Sequence, residues 1–266
     1  MLIKELDNYF DEVLRNDSDP VEVGAFTLFV SGAPYGYYAR PSFSHSGPIA
    51  VADLVALTEA CKEREIDLAI EWMHEAHPGL GALAQAHGLK VNFFPMLITG
   101  AKDVVTPNIE DATIRILTSD EPALAQGLAV ANLSFGVGGT DIGLVGSAER
   151  DKAVSELTEG WMGYFRERIR SGLTVMAVAE SADGVLAVAS CKPVGKFAEI
   201  VGVATLPSAR RRGLGAAVTA FLASHVFAQG VETVLLSAED DNVARIYRQI
   251  GFHRVGTAGA VEKEKS

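Results

Sequence analysis

The chain has 266 residues, 48% of them hydrophobic, enough for one large or two small cores. Its formal net charge of −11 argues against nucleic acid, which favours a basic footprint, and is compatible with a cationic amine partner. Cys61 and Cys191 are its only cysteines, too far apart in sequence to suggest a disulfide scaffold or a metal cluster.

No stretch approaches the ~20 uncharged residues that cross a bilayer, and the opening M-L-I-K-E-L-D-N-Y-F lacks the basic region and apolar run of a signal peptide. A cytoplasmic protein with no membrane partner is expected, as a monomer or homodimer. In chain order, Leu2, Leu6, Tyr9, Phe10 and Val13 make one stripe of an opening helix over 2–14, which Asn16–Pro20 ends. Strands are expected over Val23–Val30 and Tyr35–Ala39, around a turn at Ser31-Gly32-Ala33-Pro34. A helix over Ile49–Glu63, a strand over Leu68–Trp72, a helix over Leu80–Ala86 and a strand over Lys90–Ile98 follow. Thr99–Asp111 reads as a linker or crossing strand. Glu71, His74, Glu75 and His77 are metal-like in type, but they straddle a strand end and the turn at Pro78, so a polar turn is the reading.

A fresh strand starts at Ala112–Leu117, and Ser119-Asp120-Glu121-Pro122 opens a helix through Asn132. Residues 133–147 are glycine-rich and read as a mobile loop over an acceptor. A second helix is expected over about 149–170, then a hairpin of Val175–Ala179 and Val185–Cys191 around Ser181–Gly184. Cys191 reads as an edge thiol. Glu262–Ser266 is a charged tail with no reason to be ordered.

The richest stretch is 197–215, F-A-E-I-V-G-V-A-T-L-P-S-A-R-R-R-G-L-G, an apolar strand entering a basic turn with two glycines. An almost uncharged helix, A-A-V-T-A-F-L-A-S-H-V-F-A, comes next. The first N–H groups of such a helix lack intrahelical acceptors, and its dipole favours an anion. Gly213 and Gly215 put no side chain between those amides and a phosphate, and Arg210, Arg211 and Arg212 supply forked positive donors. A solvated basic turn capping a core helix would share this composition. A Walker A loop is excluded by the missing Gly-Lys-Ser/Thr, and a Rossmann turn by Val218 where the third glycine or alanine belongs. Residues 231–256 then read as a strand, a helix that Asp240 or Asp241 can cap and Gly251 stops, and another strand from Phe252.

The spacing Arg210-x-x-Gly213-x-Gly215 between that strand and helix resembles the pyrophosphate loop of the GNAT superfamily of acyl-CoA-dependent N-acyltransferases, and Y-x-x-x-G-F at Tyr247–Phe252 resembles the end of its fourth helix. The resemblance implies the GNAT fold, a mixed central β-sheet flanked by helices in an α/β (α+β) chain. It implies acetyl-CoA as acyl donor, no metal, and direct transfer to a primary amine of a small molecule or protein. Residues Arg210, Arg211, Arg212, Gly213, Leu214, Gly215 and Ala216 would then hold the pyrophosphate, and Val203, Ala204 and Thr205 the pantetheine arm.

Tyr247 would protonate the leaving thiolate, unless it is a core aromatic. Glu199 lies 14 residues before Gly213, where histone-type members carry a general base in a similar F-A-E-I-V strand. Alternation sets Phe197, Glu199, Val201 and Val203 on one face, and a solvent-facing strand-end glutamate is the other reading. One departure is plain: Asp240 replaces the asparagine usual seven residues before the tyrosine, and Asn242 stands five before it as a cofactor contact. A non-catalytic acyl-CoA-binding regulatory or scaffold protein is the alternative class.

The first half echoes the second. I-D-L-A-I-E-W-M-H-E-A-H-P-G-L-G-A-L-A-Q-A-H-G-L-K-V repeats the order strand, turn, helix, Gly-apolar, strand, with Gly88-Leu89 answering Gly251-Phe252 and Ala84 in the place of Tyr247. Gly47-Pro48 takes the place of the phosphate loop without an arginine cluster. The resemblance thus implies a tandem: a degenerate GNAT-like domain over 1–110, a complete GNAT domain over 111–261, and a disordered tail over 262–266.

Overall fold

The computed structural model describes residues 1–31, 38–45 and 47–261. The turn expected at Gly32–Pro34, the start of the strand expected over Tyr35–Ala39 and the tail Glu262–Ser266 lie outside the described residues.

Two compact units make up the chain. The first holds residues 1–97, 237–241 and the chain from Arg254 on; the second holds 98–236 and 242–253. In the first unit α1 (Leu2–Arg15) buries Leu6, Tyr9, Phe10 and Val13, the expected stripe. The segment expected as a single strand over Val23–Val30 is a hairpin instead, β1 (Asp19–Val23) and β2 (Phe26–Val30). Gly24 turns it in the left-handed region at φ +57°, a conformation few other residues take readily. Then come β3 (Tyr38–Pro41), α2 (Val51–Glu63), β4 (Ile70–Met73), α3 (Leu80–Ala86) and β5 (Val91–Thr99).

The sheet order there is β1-β2-β3-β4, then β11 (His253–Val261), then β5. β3 and β4 are parallel, as a helical crossover through α2 requires, and β11 runs antiparallel to β4 with Ala258 opposite Met73 and Val261 opposite Ile70. Its core joins Phe26, Leu28, Leu54, Leu57, Trp72 and Val261. Arg40 donates to Asp7 at 2.9 Å with both side chains buried, and stacks on Phe10 4.8 Å from the ring centroid. Burial opposes the Asp7 carboxylate, but hydrogen bonds from His77 and Arg40 outweigh it and hold the carboxyl below its usual range.

The second unit starts with β6 (Thr113–Ile116) and α4 (Ala123–Val137). Because α4 runs on through Val137, the glycine-rich loop expected from 133 begins only at Gly138. The helix expected over about 149–170 is two helices, α5 (Ser147–Glu156) and α6 (Glu159–Arg170). Thr158 separates them, its hydroxyl oxygen accepting from the N–H of Trp161 at 3.3 Å as an N-cap that starts a new helix.

β7 (Val175–Ser181), β8 (Gly184–Val194) and β9 (Phe197–Thr205) follow, then α7 (Leu214–Ala228), β10 (Thr233–Ser237) and α8 (Asp241–Arg248). The order is β10-β9-β8-β7-β6, antiparallel throughout except that β10 is parallel to β9 across the α7 crossover. Cys191 is not at an edge: it sits in β8 between β7 and β9, fully buried. Burial first, and the nearby Glu199 second, push its thiol well above the usual range, which makes it unreactive.

Candidate functional site

The strand that carries Glu199 is interrupted. Ser190 stands opposite Val201 and Val188 opposite Ala204, so Gly202 and Val203 together face the single residue Ala189. This is a β-bulge, with Gly202 left-handed at φ +63°. It changes the expected alternation, because beyond the bulge Ala204, not Val203, shares a face with Glu199 and Val201. Val203 and Thr205 turn the other way, and a Cβ on Gly215 would come within 3.4 Å of the Thr205 hydroxyl and 3.7 Å of a Val203 methyl. A lone glycine inside a strand was the signal that could have revealed the bulge.

On its other side β9 pairs with β10 only from Phe197 to Glu199, opposite Thr233 to Leu235. From Ile200 on, the described ladder offers β9 no partner on that side. The splay leaves main-chain groups open at the bulge, one helix start away from the basic turn.

That turn has its own geometry. After a 3₁₀ turn at Pro207–Ala209, Arg211 (φ +67°) and Gly213 (φ +76°) are both left-handed. Alternating hands in successive residues aim their N–H groups to one side, the backbone pattern of an anion-binding nest. A left-handed arginine costs about 1 kcal/mol, a strain worth a functional question. Gly213 is the N-cap of α7 with no capping side chain, and the first turn contains no acid, so no side chain of the helix neutralises its positive start.

The arginines divide. Arg212 pairs with Asp111 at 2.5 Å, and Ile109 lies 3.7 Å from where a Gly213 Cβ would stand. Arg210 donates to the carbonyls of Ser134, Gly138 and Asp141. Arg211 is exposed with no hydrogen bond or ion pair among the described residues.

Glu199 is half-buried, directly across the ladder from Lys192, a cross-strand pair of opposite charge. Tyr247 is buried on α8 with its ring 6.1 Å from that of Phe252, and burial raises its hydroxyl to about 12. That hydroxyl has no hydrogen-bond partner among the described residues. Asn242 is exposed at the start of the same helix and accepts from Arg245 at 3.3 Å. β9, the turn and the α7 start thus form one continuous surface, while Asn242 and Tyr247 come from α8, which follows β10.

Two of the metal-like residues in the first unit have other partners. Glu75 accepts from the N–H of Thr257 at 3.0 Å, and His77 lies 3.5 Å from Asp7. Among the described residues no cluster of histidine, cysteine or acidic side chains could hold a metal, and no helix is long and apolar enough to cross a membrane.

Residues 146–252 match the family model of the acetyltransferase (GNAT) family. A comparison with curated proteins gives no match. Among solved structures, a GCN5-related N-acetyltransferase from Kribbella flavida is similar over 99% of this chain and 96% of its own, with a TM-score of 0.75 and 20% identity. A tandem GNAT protein from the clavulanic acid biosynthesis pathway matches over 92% of this chain and 80% of its own, at TM-score 0.57 and 15% identity. A GCN5-related N-acetyltransferase from Sphaerobacter thermophilus matches over 90% and 76%, at 0.57 and 17%. The likeness establishes a GNAT-type fold over nearly the whole chain, and the family match covers residues 146–252 within it.

Proposed function

We propose that the GNAT-family domain at residues 146–252 of this chain moves an acetyl group from acetyl-CoA to a primary amine by direct transfer. The observation that carries this reading is the uncapped, left-handed start of α7 beside a strand splayed beyond Glu199. Segment 211–216 receives the pyrophosphate on its amides, with Arg211 as the cation already unpaired and Arg212 exchanging Asp111 for phosphate, while the Arg210 guanidinium is held by the carbonyls of 134, 138 and 141. The pantetheine arm adds to the open edge of β9 at Val203, Ala204 and Thr205 as a strand would, and Asn242 lies at the start of the tyrosine's helix. An N–H near Val203, freed by the bulge, polarises the thioester carbonyl.

The amine lone pair then attacks the acyl carbon and the C–S bond breaks. The ammonium proton leaves to Glu199, directly or through a water. Tyr247 donates a hydrogen bond to the departing sulfur. With its hydroxyl raised to about 12, it is a weaker acid than a thiol near 8.5, so the hydrogen bond stabilises the thiolate and solvent completes its protonation.

The acceptor is an amine of a small molecule or protein, and the acidic chain suits a cationic one. Titration calorimetry with coenzyme A tests the cofactor site, and thiol release from acetyl-CoA across an amine panel, with mass detection of the product, tests the transfer. Binding without release for any amine would replace the enzyme by a coenzyme A-binding regulatory protein. Glu199→Gln should lower turnover and remove the acidic limb of the pH–rate profile.

A further inference from the structure

The guanidinium of Arg210 does not point at the amide cradle that its own loop forms. Nη1 donates to the carbonyls of Gly138 at 3.0 Å and Asp141 at 3.1 Å, and Nη2 to that of Ser134 at 3.3 Å. Ser134 lies in the last turn of α4, where its carbonyl also accepts from the N–H of Gly138 at 3.1 Å, and Gly138 and Asp141 belong to the glycine-rich segment 138–146 that follows. A cation there also suits the negative end of the helix.

Further bonds run between the same two stretches. The N–H of Gly143 donates to Pro207 at 3.0 Å, and that of Ser208 to Val145 at 3.0 Å. The Ser134 hydroxyl donates to the carbonyl of Thr205 at 3.0 Å. The approach is close enough that a Cβ on Gly143 would meet the Pro207 side chain at 2.9 Å, and one on Gly146 the Ser208 hydroxyl at 3.0 Å. The segment so held displays its apolar side chains outward, Ile142 at 66% and Leu144 at 100% exposure.

We infer that Arg210 is a positioning residue, a latch that joins the phosphate loop to segment 138–146 so that occupancy of one is felt by the other. The inference rests on the proposed coenzyme A site for its ligand, but not for the latch itself. Cofactor phosphate on the amides of 211–216 fixes the backbone that carries Arg210, and the fork of Arg210 fixes the carbonyls of 134, 138 and 141. Lysine cannot replace it, since a single ammonium on a flexible stem has no planar fork to span these acceptors.

Hydrogen exchange on the full chain, with and without coenzyme A, is the test. In the unliganded protein, Arg210→Ala and Arg210→Lys should both speed exchange across 138–146 by about tenfold or more, as loss of charge-assisted bonds implies. Coenzyme A should slow exchange there in the wild type and not in either variant, while its affinity for the variants stays within about threefold, since the amide cradle is intact. With an amine from the panel, the variants should raise KM for the amine and leave KM for acetyl-CoA unchanged.

Exchange over 138–146 that is equal in wild type and variants overturns the latch, whatever coenzyme A does. So does a fall of about tenfold or more in coenzyme A affinity with that segment unaltered, which would make Arg210 a phosphate ligand. A wild type that binds no coenzyme A defeats the proposed function alone, because the unliganded comparison still reads the latch.

Discussion

The helix that follows the β-meander begins differently in the two units. In the first, the Asp53 carboxylate fills the start of α2, accepting from the N–H of Ala50 at 2.8 Å and of Ala25 at 3.1 Å. In the second, α7 starts at Gly213 with no cap and no acid in its first turn. A helix N-terminus favours one anion, and the first unit supplies it from its own chain while the second leaves the place open.

The next helix of each unit, α3 in the first and α8 in the second, ends in the same way. Leu89 N–H donates to Ala84 at 3.0 Å around Gly88 at φ +81°, and Phe252 N–H donates to Tyr247 at 3.1 Å around Gly251 at φ +97°. The same C-cap closes both helices, with alanine in one and tyrosine in the other. What closes a helix is kept in both units; what could meet a cofactor stands in one.

The largest effect expected from breaking this contrast is on binding. Arg212→Glu with Gly213→Asp sets carboxylates in the open helix start, as Asp53 does in the first unit. Affinity for coenzyme A should fall at least about a hundredfold by calorimetry, because like charges that close cost several kcal/mol. Undiminished binding would end the phosphate-loop assignment.

Next is Tyr247→Phe, which makes the second C-cap position as inert as Ala84. Turnover should drop by about a hundredfold, with kcat affected more than KM for acetyl-CoA. The fold should be nearly unchanged at neutral pH. At high pH the sign is definite: a phenol raised from near 10 to about 12 gives stability that is fully present below pH 10 and lost as pH climbs toward 12. Urea melts of the phenylalanine variant should lack that fall in stability between pH 10 and 12. A wild-type rate in this variant would show that another group serves the thiolate.

A smaller change tests the first unit. Asp53→Ala should cost about 1–2 kcal/mol of stability in urea, because two backbone N–H groups, of Ala50 and Ala25, lose their acceptor, and leave one coenzyme A bound per chain. A stoichiometry of two, in wild type or variant, would erase the distinction between the units. Smallest is Glu65→Gly. Glu65 closes α2 at φ +56° where Gly230 closes α7 at φ +99°, and the replacement should add up to about 1 kcal/mol in the same melts.

Strong local signals made much of this legible in the sequence. The helix Leu80–Ala86 and the strand Phe197–Thr205 have the bounds their apolar runs and flanking glycines suggest. The basic turn was readable because its residue types and their spacing are themselves the chemistry. Other features depend on distant partners. Gly24 and Gly202 lie inside stretches read as single unbroken strands, and only the register with β2 and β8 makes one a hairpin turn and the other a bulge. Thr158 reads as a cap only once its N–H partner at Trp161 is placed. Arg210, Arg211 and Arg212 are identical in sequence terms, yet their acceptors lie in α4 and beyond it for one, at Asp111 for another and nowhere among the described residues for the third.

The strand β11 has a consequence in time. Its residues 258–261 pair with 70–73, so the first unit's sheet has a gap until a stretch some 160 residues downstream of β5 has been made. At a synthesis rate of roughly 5–20 residues per second, that gap stays open for on the order of ten seconds or more. During that interval the nascent first unit shows unpaired strand edges to the cell, and a fragment cut at residue 110 would keep them exposed permanently.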